Sequence, residues 1–333
     1  MRNIKVGIIG LGVGEQHLKM YQEIDECEVI AVCDVDISKA NNISTKYQIS
    51  ETYSDWKKIT EHPNIDAISI CSFDNYHAEQ AISAFQSDKH VFIEKPIVLD
   101  RYELELLFQA YNSSKKLISS NLILRTEPRF KALKKMINKG QFGKIFYMEG
   151  DYLHDILWKL TNGWRGKMNF YSVIYGGGIH LIDLMRWLHG KEVIEACGMS
   201  NKILTEHSKY KYPDLTCNIL KFEDEVIAKT TTTFGPRRPK FHALNIYGSK
   251  RTFINDRPHG KIYENDKLEK TQKMDVPYPT HNKGDLIPNF IDSIKNNSQP
   301  NVSYLDIFRV MEICISSWEA IEKGKTVKLS YLV

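Results

Sequence analysis

The stretch IKVGIIGLGVGEQH, residues 4–17, decides the fold class of this chain. A short apolar run ends at Gly10, and a segment with helical spacing, EQHLKMYQEI, follows at once. In a strand–turn–helix of this kind, Gly10 allows the tight turn and Gly12 lets the backbone approach a phosphate at the start of the helix. The usual third glycine would stand at Glu15, whereas Gly14 comes one residue earlier. The pattern predicts a dinucleotide-binding turn, with a plain structural turn as the alternative.

An acidic residue at the end of the next apolar run supports the dinucleotide interpretation. Asp34 closes the run EVIAVCD, near the spacing of about 20 residues at which a carboxylate binds the ribose hydroxyls. A carboxylate at this point would repel a 2′-phosphate, so the sequence favours NAD over NADP. We predict that Gly10, Gly12, Gly14 and Asp34 bind the cofactor.

Apolar runs and helical segments alternate through the first third of the chain. The runs DAISICS and HVFIEKP, with the helical YHAEQAISAFQSDK between them, continue the pattern. This alternation predicts an α/β fold with a doubly wound parallel sheet. Later runs, including TCNILKFED, EVIAKTTTTF and FHALNIYGS, follow one another without intervening helices and indicate a largely antiparallel sheet. We predict two domains, residues 1–121 and 122–333.

Composition and charge are those of a soluble globular protein. The chain has 333 residues, of which 42% are hydrophobic and 26% charged, and its net charge of +4 is spread along the sequence. The densest basic cluster, GPRRPKFH (235–242), is typical of a solvated loop, with a binding patch as the alternative. We therefore expect neither a nucleic acid nor a membrane as partner.

The spacing of the cysteines bears on metal binding. The first residues of the sequence bear on the cellular location of the protein. The six cysteines lack the spacing of metal ligands, so no metal is predicted. Because the sequence enters its first strand directly, we expect no signal peptide. No apolar run reaches the roughly 18 residues that a membrane span needs. We expect a cytoplasmic protein.

The stretch FIEKP, residues 92–96, places two charged side chains at the carboxyl edge of the predicted parallel sheet. Pro96 restricts Lys95 to an extended backbone. An ammonium group beside a nicotinamide could bind a substrate oxygen and stabilise developing alkoxide charge. A surface lysine at a strand end is the simpler alternative. We predict Lys95 as a catalytic residue, and Glu94 together with Lys95 as cofactor contacts.

The stretch SVIYGGGIHLID, residues 172–183, sets three glycines before two groups that can move protons. The i, i+3 spacing puts His180 and Asp183 on one face of a helix. A histidine is suited to exchange a hydroxyl proton because its pKa is near neutral. Alternatively, His180 is a packed histidine satisfied by a backbone carbonyl, and Asp183 pairs with Arg186.

These motifs together resemble the glucose–fructose oxidoreductase, inositol dehydrogenase and rhizopine catabolism protein (Gfo/Idh/MocA) family. The similarity runs through VGIIGLGVGEQH, HVFIEKPI and GGGIHLIDLMRWL to the closing EAIEKGKTVKL, and so covers essentially the whole chain. It implies an N-terminal Rossmann domain and a C-terminal α/β domain with an open sheet. That sheet would form a homodimer or homotetramer.

The resemblance also implies an activity. Most members of the family use NAD(P) to oxidise or reduce a carbinol carbon of a sugar or cyclitol. By position, Lys95 is the lysine of the EKP motif, His180 is the active-site histidine, and Asp183 is a carboxylate of the substrate site.

One position departs from the family pattern. Many relatives carry an aspartate four residues before the histidine, where this chain has Gly176. We predict that His154 and Asp155 supply the missing acid–base group, and that the glycines admit the substrate or the nicotinamide. Trp164 and Arg165 would line the sugar pocket, with a packed indole and a surface cation as the alternatives. Weakened catalysis is the other interpretation of Gly176.

Three functions are compatible with this sequence. The first is NAD-dependent hydride transfer to or from a sugar, a cyclitol or a sugar derivative, with Lys95 and His180 as catalytic residues. The second is a redox-neutral glycosidase that oxidises its substrate transiently with NAD that stays bound. The third is a catalytically silent regulator that binds a dinucleotide. We favour the first because both proposed catalytic residues are present.

Overall fold

The computed structural model describes residues 3–267, 270–278 and 282–333. The chain forms two compact units. Unit 1 holds the described residues up to Ile123 together with 282–309 and 332–333, and unit 2 holds the others. The predicted division at residue 121 lies close to the first crossing between the units. The units differ from the predicted domains because residues 282–309 and 332–333 belong to unit 1.

Unit 1 contains a sheet of six strands that all run parallel. The strands are β1 (Ile4–Ile9), β2 (Cys27–Cys33), β3 (Glu51–Tyr53), β4 (Ala67–Ile70), β5 (His90–Ile93) and β6 (Ile118–Ser120). Their order is β3-β2-β1-β4-β5-β6. The helices between them are α1 (Gly14–Gln22), α2 (Ile37–Tyr47), α3 (Lys57–Thr60), α4 (His77–Gln86) and α5 (Arg101–Ser113). The predicted doubly wound sheet is confirmed.

The burial of the central strands explains this architecture. Every residue of β4 is buried, and so are the last three residues of β5. Near-continuous apolar strands of this kind need helices on both faces. Because all six strands run parallel, their carboxyl ends lie at one edge of the sheet. Folds of this type bind ligands at that edge.

Unit 2 is built on a sheet of nine strands. They are β7 (Ile145–Leu153), β8 (Val193–Asn201), β9 (Leu215–Phe222), β10 (Ile227–Thr233), β11 (Phe241–Gly248), β12 (Thr252–Ile254), β13 (Gly260–Tyr263), β14 (Gln272–Met274) and β15 (Val327–Lys328). Their order is β14-β13-β12-β11-β7-β10-β9-β8-β15. Only the pair β7 and β10 is parallel among these neighbours. The prediction of an open, largely antiparallel sheet is confirmed.

Three helices of unit 2 precede or follow its first long strand, and most of a further helix near the end of the chain also belongs to this unit. The three are α6 (Pro128–Asn138), α7 (Trp158–Thr161) and α8 (Ile179–His189). A single turn of π-helix, Ile174–Gly178, leads directly into α8. Gly190 ends α8 in the left-handed conformation, at φ +77°.

Two helices close the chain, α9 (Ile287–Asn296) and α10 (Tyr304–Lys323). Within unit 1, Phe290 of α9 packs against Phe92 of β5, with ring centroids 5.6 Å apart. Ser303 and Asp306 form a capping box at the start of α10, because each side chain accepts a hydrogen bond from the other's backbone N–H.

In the ranges that the structure describes, no helix has both the length and the apolar character needed to cross a membrane.

Candidate active site

The turn between β1 and α1 has the geometry expected of a dinucleotide-binding loop. Gly10 has φ +85°, and a Cβ there would lie 2.5 Å from the carbonyl oxygen of Cys71. A Cβ on Gly12 would meet no atom within 4 Å. A Cβ on Gly14 would lie 3.0 Å from Ile8, so Gly14 allows the close helix–strand packing that the third glycine of the motif normally provides.

Asp34 lies beside this turn at the end of β2. Its carboxylate accepts hydrogen bonds from the backbone N–H groups of Leu11 (2.8 Å) and Asp36 (3.1 Å) and from the ammonium of Lys39 (2.8 Å). Burial opposes the ionisation of Asp34, but these three hydrogen bonds outweigh it and lower its pKa. Asp34 is therefore an ionised acceptor beside the glycine turn.

These features fit a bound dinucleotide. The open side of Gly12 leaves room for a pyrophosphate, and α1 begins without a side-chain cap on its N–H groups. A carboxylate has about four acceptor positions, and three of those on Asp34 are in use, which leaves capacity for a ribose hydroxyl. Gly10, Gly12, Gly14 and Asp34 could thus hold the adenosine half of NAD.

Glu94 and Lys95 follow β5 at the same edge of the sheet, and both are buried. One Glu94 oxygen accepts a hydrogen bond from Asn121 Nδ2 at 2.7 Å and lies 3.4 Å from His17 Nε2. Burial would raise the pKa of Glu94, but the charge of Lys283, the hydrogen bond from His17 and the charge of Lys95 hold it well below its usual range. Glu94 is therefore an anion fixed next to Lys95.

His77 connects the ends of two strands at this edge. Its Nδ1 lies 2.6 Å from the carbonyl oxygen of Pro96, and its Nε2 lies 3.1 Å from the carbonyl oxygen of Ser72. The ring is almost completely buried. His77 thus fixes the backbone directly after Lys95.

In unit 2, the three glycines before α8 are approached by side chains of the protein itself. A Cβ on Gly176 would lie 1.7 Å from the hydroxyl oxygen of Tyr171. A Cβ on Gly177 would lie 2.6 Å from the ring of Tyr152, and one on Gly178 would lie 2.5 Å from a threonine hydroxyl, that of Thr232. The prediction that these glycines admit substrate or nicotinamide is therefore wrong, because protein atoms fill the space beside them.

His180 lies in the first turn of α8, in a cluster of rings. Its imidazole is 5% exposed and stacks on Tyr152, with centroids 6.3 Å apart at 22°. The ring of His242 lies 6.3 Å from that of His180. The Tyr152 hydroxyl lies 3.3 Å from His154 Nδ1, and the Tyr278 hydroxyl lies 2.6 Å from His242 Nδ1. All five rings of this cluster bear groups that can donate or accept protons.

Four predicted pocket residues lie in the chain segment between β7 and α8. The guanidinium of Arg165 lies 4.2 Å from the ring centroid of Trp164 and 5.7 Å from that of Tyr171. Burial raises the pKa of Tyr152 to about 12, although the charge of Arg165 opposes the shift. Asp155 is exposed, and within the described residues its carboxylate makes no hydrogen bond or ion pair. The structure thus brings His154 into the ring cluster, but not Asp155.

Asp183 lies inside unit 2, where it forms an ion pair with Arg125. It is completely buried, and Arg125 Nε donates to its two carboxylate oxygens at 3.0 and 3.2 Å. Arg186, the alternative partner considered from the sequence, binds Glu192 through two hydrogen bonds of 2.7 Å. A buried carboxylate held by an arginine on two oxygens anchors α8, and the assignment of Asp183 to substrate binding stays a prediction.

Several residues of these sites were missed by sequence reasoning. They are His17, Asn121, Arg125, Tyr152, Tyr171, His242 and Tyr278. Tyr152 and His242 are direct partners in the pairing of β7 with β11, which no local pattern reveals. In the described residues, no group of three or more His, Cys, Asp or Glu side chains could hold a metal ion.

Two family models match the chain, together over more than half of its length. Residues 4–122 match the model described as an oxidoreductase family with an NAD-binding Rossmann fold. Residues 130–254 match the Gfo/Idh/MocA C-terminal domain.

Full-length relatives show the same similarity. The chain is 22% identical to the myo-inositol 2-dehydrogenase of Thermotoga maritima, over 99% of this chain and 100% of that protein. Its fold matches the crystal structure of a myo-inositol 2-dehydrogenase from Lactobacillus plantarum with a TM-score of 0.85, at 23% identity over 99% of this chain and 100% of that one.

A levoglucosan dehydrogenase in complex with NADH and L-sorbose has the same fold, with a TM-score of 0.88 at 18% identity over the full length of both chains. At these identities the structural matches show the fold, and the family models show the family. The chain therefore belongs to the Gfo/Idh/MocA family of oxidoreductases, and its unit 1 is an NAD-binding Rossmann fold.

Proposed function

We propose that this protein is an NAD-dependent dehydrogenase that acts on a carbinol carbon of a sugar, a cyclitol or a sugar derivative. One observation carries the proposal. The open glycine turn after β1 and the buried Glu94 and Lys95 after β5 lie at the same carboxyl edge of one parallel sheet. Folds of this type bind dinucleotides at that edge.

Lys95 is proposed to bind the substrate oxygen. NAD, when bound, exchanges a hydride with the substrate carbon. The ammonium of Lys95 donates a hydrogen bond to the oxygen on that carbon and stabilises the negative charge that develops there. Glu94 and His77 keep Lys95 in place, the first by its fixed charge and the second by holding the Pro96 carbonyl.

His180 is proposed to take the hydroxyl proton during oxidation and to return it during reduction. A histidine changes its protonation state at the pH where such an enzyme works. Tyr152 and His242 pack against His180, and His154 contacts Tyr152, so these three side chains offer further donors and acceptors.

Substrate recognition is assigned to the segment between β7 and α8. We propose that Trp164 and Arg165 line the pocket, and that His154 takes part in binding. An aromatic face suits the apolar side of a sugar ring, and a guanidinium suits its hydroxyls. Asp155 stays a proposed contact because its exposed carboxylate can accept hydrogen bonds from hydroxyls.

The outer face of the nine-stranded sheet is proposed to form a homodimer or homotetramer interface. Ile219 of β9 and Met199 of β8 are exposed there, at 37% and 82%. Both side chains point away from the buried face of their strands. Apolar side chains on an open sheet face are typical of an interface. We propose that the protein works in the cytoplasm.

The test is NADH formation with a panel of inositols, hexoses, uronic acids and nucleotide sugars. Lys95→Ala and His180→Ala are each expected to lower kcat about 100-fold or more on the substrate found. Lys116→Ala and His189→Ala are matched controls. Lys116 pairs with Asp88, His189 pairs with Asp224, and neither belongs to the proposed site.

The other outcomes separate the alternatives. Release of a sugar without net NADH would establish a glycosidase. Binding of NAD without turnover of any compound would favour a regulator. Full activity of both the Lys95 and the His180 variants would contradict the proposed mechanism.

A further inference from the structure

We propose that His17 is the positioning residue of Glu94, a role that rests on the NAD binding of the proposed dehydrogenase and not on its turnover. His17 lies on α1, three residues after Gly14, and Glu94 directly follows β5. The imidazole holds one carboxylate oxygen of Glu94 and so directs the other oxygen toward the nicotinamide half of the cofactor.

The imidazole of His17 is completely buried against two strands of the parallel sheet. Its ring meets that of Phe92 in β5 edge to face, with centroids 5.4 Å apart. Its Nδ1 lies 2.8 Å from the Ser69 hydroxyl oxygen of β4 and 3.2 Å from the Cys71 sulfur just after that strand. Burial raises the pKa of the Cys71 thiol well above its ordinary value, so the thiol keeps its proton. Ser69 and Cys71 can therefore both donate to Nδ1.

The surroundings of Nε2, the other ring nitrogen, show that it carries a proton. Nε2 lies 3.4 Å from Glu94 Oε1 and 3.5 Å from Asn121 Nδ2. Asn121 Nδ2 donates to Glu94 Oε1 and to the carbonyl oxygen of Lys283, each at 2.7 Å. Both amide hydrogens of Asn121 are thus in use, and a carboxylate only accepts. Nε2 of His17 therefore donates to Glu94 Oε1.

The two oxygens of Glu94 consequently have different surroundings. Oε1 receives donors from His17 and Asn121, whereas Oε2 makes no hydrogen bond or ion pair within the described ranges. Burial opposes the ionisation of Glu94, but the charge of Lys283 and the hydrogen bond from His17 lower its pKa. An anionic oxygen at the carboxyl edge of this sheet is suited to accept a hydrogen bond from a ribose hydroxyl of NAD.

A pure packing role is the alternative, since the ring of His17 also fills the space between α1 and the sheet. Two amide substitutions separate the roles. The side chain of His17→Gln can place an N–H group near the position of the imidazole Nε2. The shorter side chain of His17→Asn places its amide near the position of Nδ1, where it can bind Ser69 but not Glu94.

The first test is the Kd of NAD, measured by calorimetry. His17→Asn and Glu94→Gln should each raise it about tenfold, because a hydrogen bond to a charged acceptor is lost or misdirected. His17→Gln should stay within about twofold of the unaltered protein. His62→Asn is the matched control, because His62 forms the same kind of pair with Glu51 at the start of β3, with Nε2 and Oε2 3.1 Å apart. Equal losses in His17→Gln and His17→Asn would overturn the proposal.

The double variant shows whether His17 acts through Glu94. His17→Asn combined with Glu94→Gln should bind NAD about as weakly as Glu94→Gln alone. A loss of about a hundredfold, the product of the two single effects, would mean that His17 acts independently through the packing of α1. That result would also overturn the proposal.

A further readout uses the unaltered protein and needs no substitution. NMR of the histidine ring nitrogens, with His17 assigned through its contact with the Phe92 ring, should show a proton on Nε2 at neutral pH. An Nε2 without a proton would contradict the donation to Glu94. Absence of turnover with every compound would count against the proposed dehydrogenase alone, because none of these measurements requires turnover.

Discussion

Two glycine turns in this protein have opposite uses. At Gly12 the space beside the backbone is open, since a Cβ would meet nothing within 4 Å. At Gly176 the corresponding space is filled by the hydroxyl of Tyr171. One turn leaves room for a ligand, and the other leaves room for the protein's own side chain. Glycine-rich motifs that look alike in sequence can therefore serve recognition in one unit and internal packing in the other.

The largest effect on stability should come from adding a side chain at Gly176, where the Tyr171 hydroxyl already fills the space. Gly176→Ala would place a methyl group against the Tyr171 phenol and should lower the free energy of unfolding by about 3 kcal/mol. Thermal or urea unfolding measures this. Adding Tyr171→Leu, which removes the hydroxyl and the ring, should restore part of the loss. If Gly176→Ala proves as stable as the unaltered protein, the turn is not closed.

A somewhat smaller loss of stability is expected from a substitution of Glu94, at the carboxyl edge of the parallel sheet. Glu94→Gln keeps the acceptor for Asn121 but removes the charge, and should cost about 2 kcal/mol of unfolding free energy at neutral pH. The lowered pKa of Glu94 stabilises the fold above the ordinary glutamate pKa, and this contribution is lost as the pH falls below about 4.

Unfolding measured from neutral to acidic pH should therefore show the gap between Glu94→Gln and the unaltered protein narrowing on acidification. Glu26→Gln is the control, because Glu26 forms an exposed pair with Lys295. A gap for Glu94→Gln that is constant with pH would contradict the charge assigned to this residue.

Filling the open turn should change binding and leave folding intact. Gly12→Ala is expected to weaken NAD binding about tenfold, because the methyl group occupies the approach of the pyrophosphate. Its unfolding free energy should change by less than about 1 kcal/mol, since no protein atom lies near. Calorimetric titration with NAD and thermal unfolding together decide this. A Gly12→Ala protein that is destabilised but binds NAD normally would contradict the assignment of an open, ligand-binding space to this turn.

The smallest effect concerns the choice of cofactor beside the open turn. Asp34→Ala should shift the ratio of NAD to NADP affinities about fivefold toward NADP, because a carboxylate that repels the 2′-phosphate is removed and Lys39 is released. Asp36→Ala is the matched control. It removes the N-cap of α2, at a cost of about 1 kcal/mol in stability, and should leave the ratio unchanged.

The features that sequence reasoning located are those fixed by local patterns. Gly10, Gly12 and Asp34 follow from a strand, a turn and a helix within about 30 residues, and the structure places them side by side. The alternation of strands and helices was sufficient to predict the parallel sheet. His180 could be proposed from the sequence because its motif is contiguous.

The missed features depend on contacts between distant parts of the chain. His242 is near His180 because β11 pairs with β7 in a register that opposes His242 to Tyr152. Asp183 binds Arg125, which is distant in the sequence, and Arg186 at i+3 binds Glu192. The filled space beside Gly176 depends on where the Tyr171 ring lies. Neither composition nor periodicity predicts which distant residues come into contact.

The return of residues 282–309 to unit 1 has a consequence for synthesis on the ribosome. Phe92 and Phe108 find partners in Phe290 and Phe308, which belong to that returning segment. At about 5–20 residues per second, roughly ten to forty seconds separate the first part of unit 1 from the last. During that interval the nascent Rossmann sheet exposes the apolar surface that α9 later covers, whereas residues 124–278 emerge as one continuous stretch. We therefore expect chaperones to bind the nascent first 123 residues.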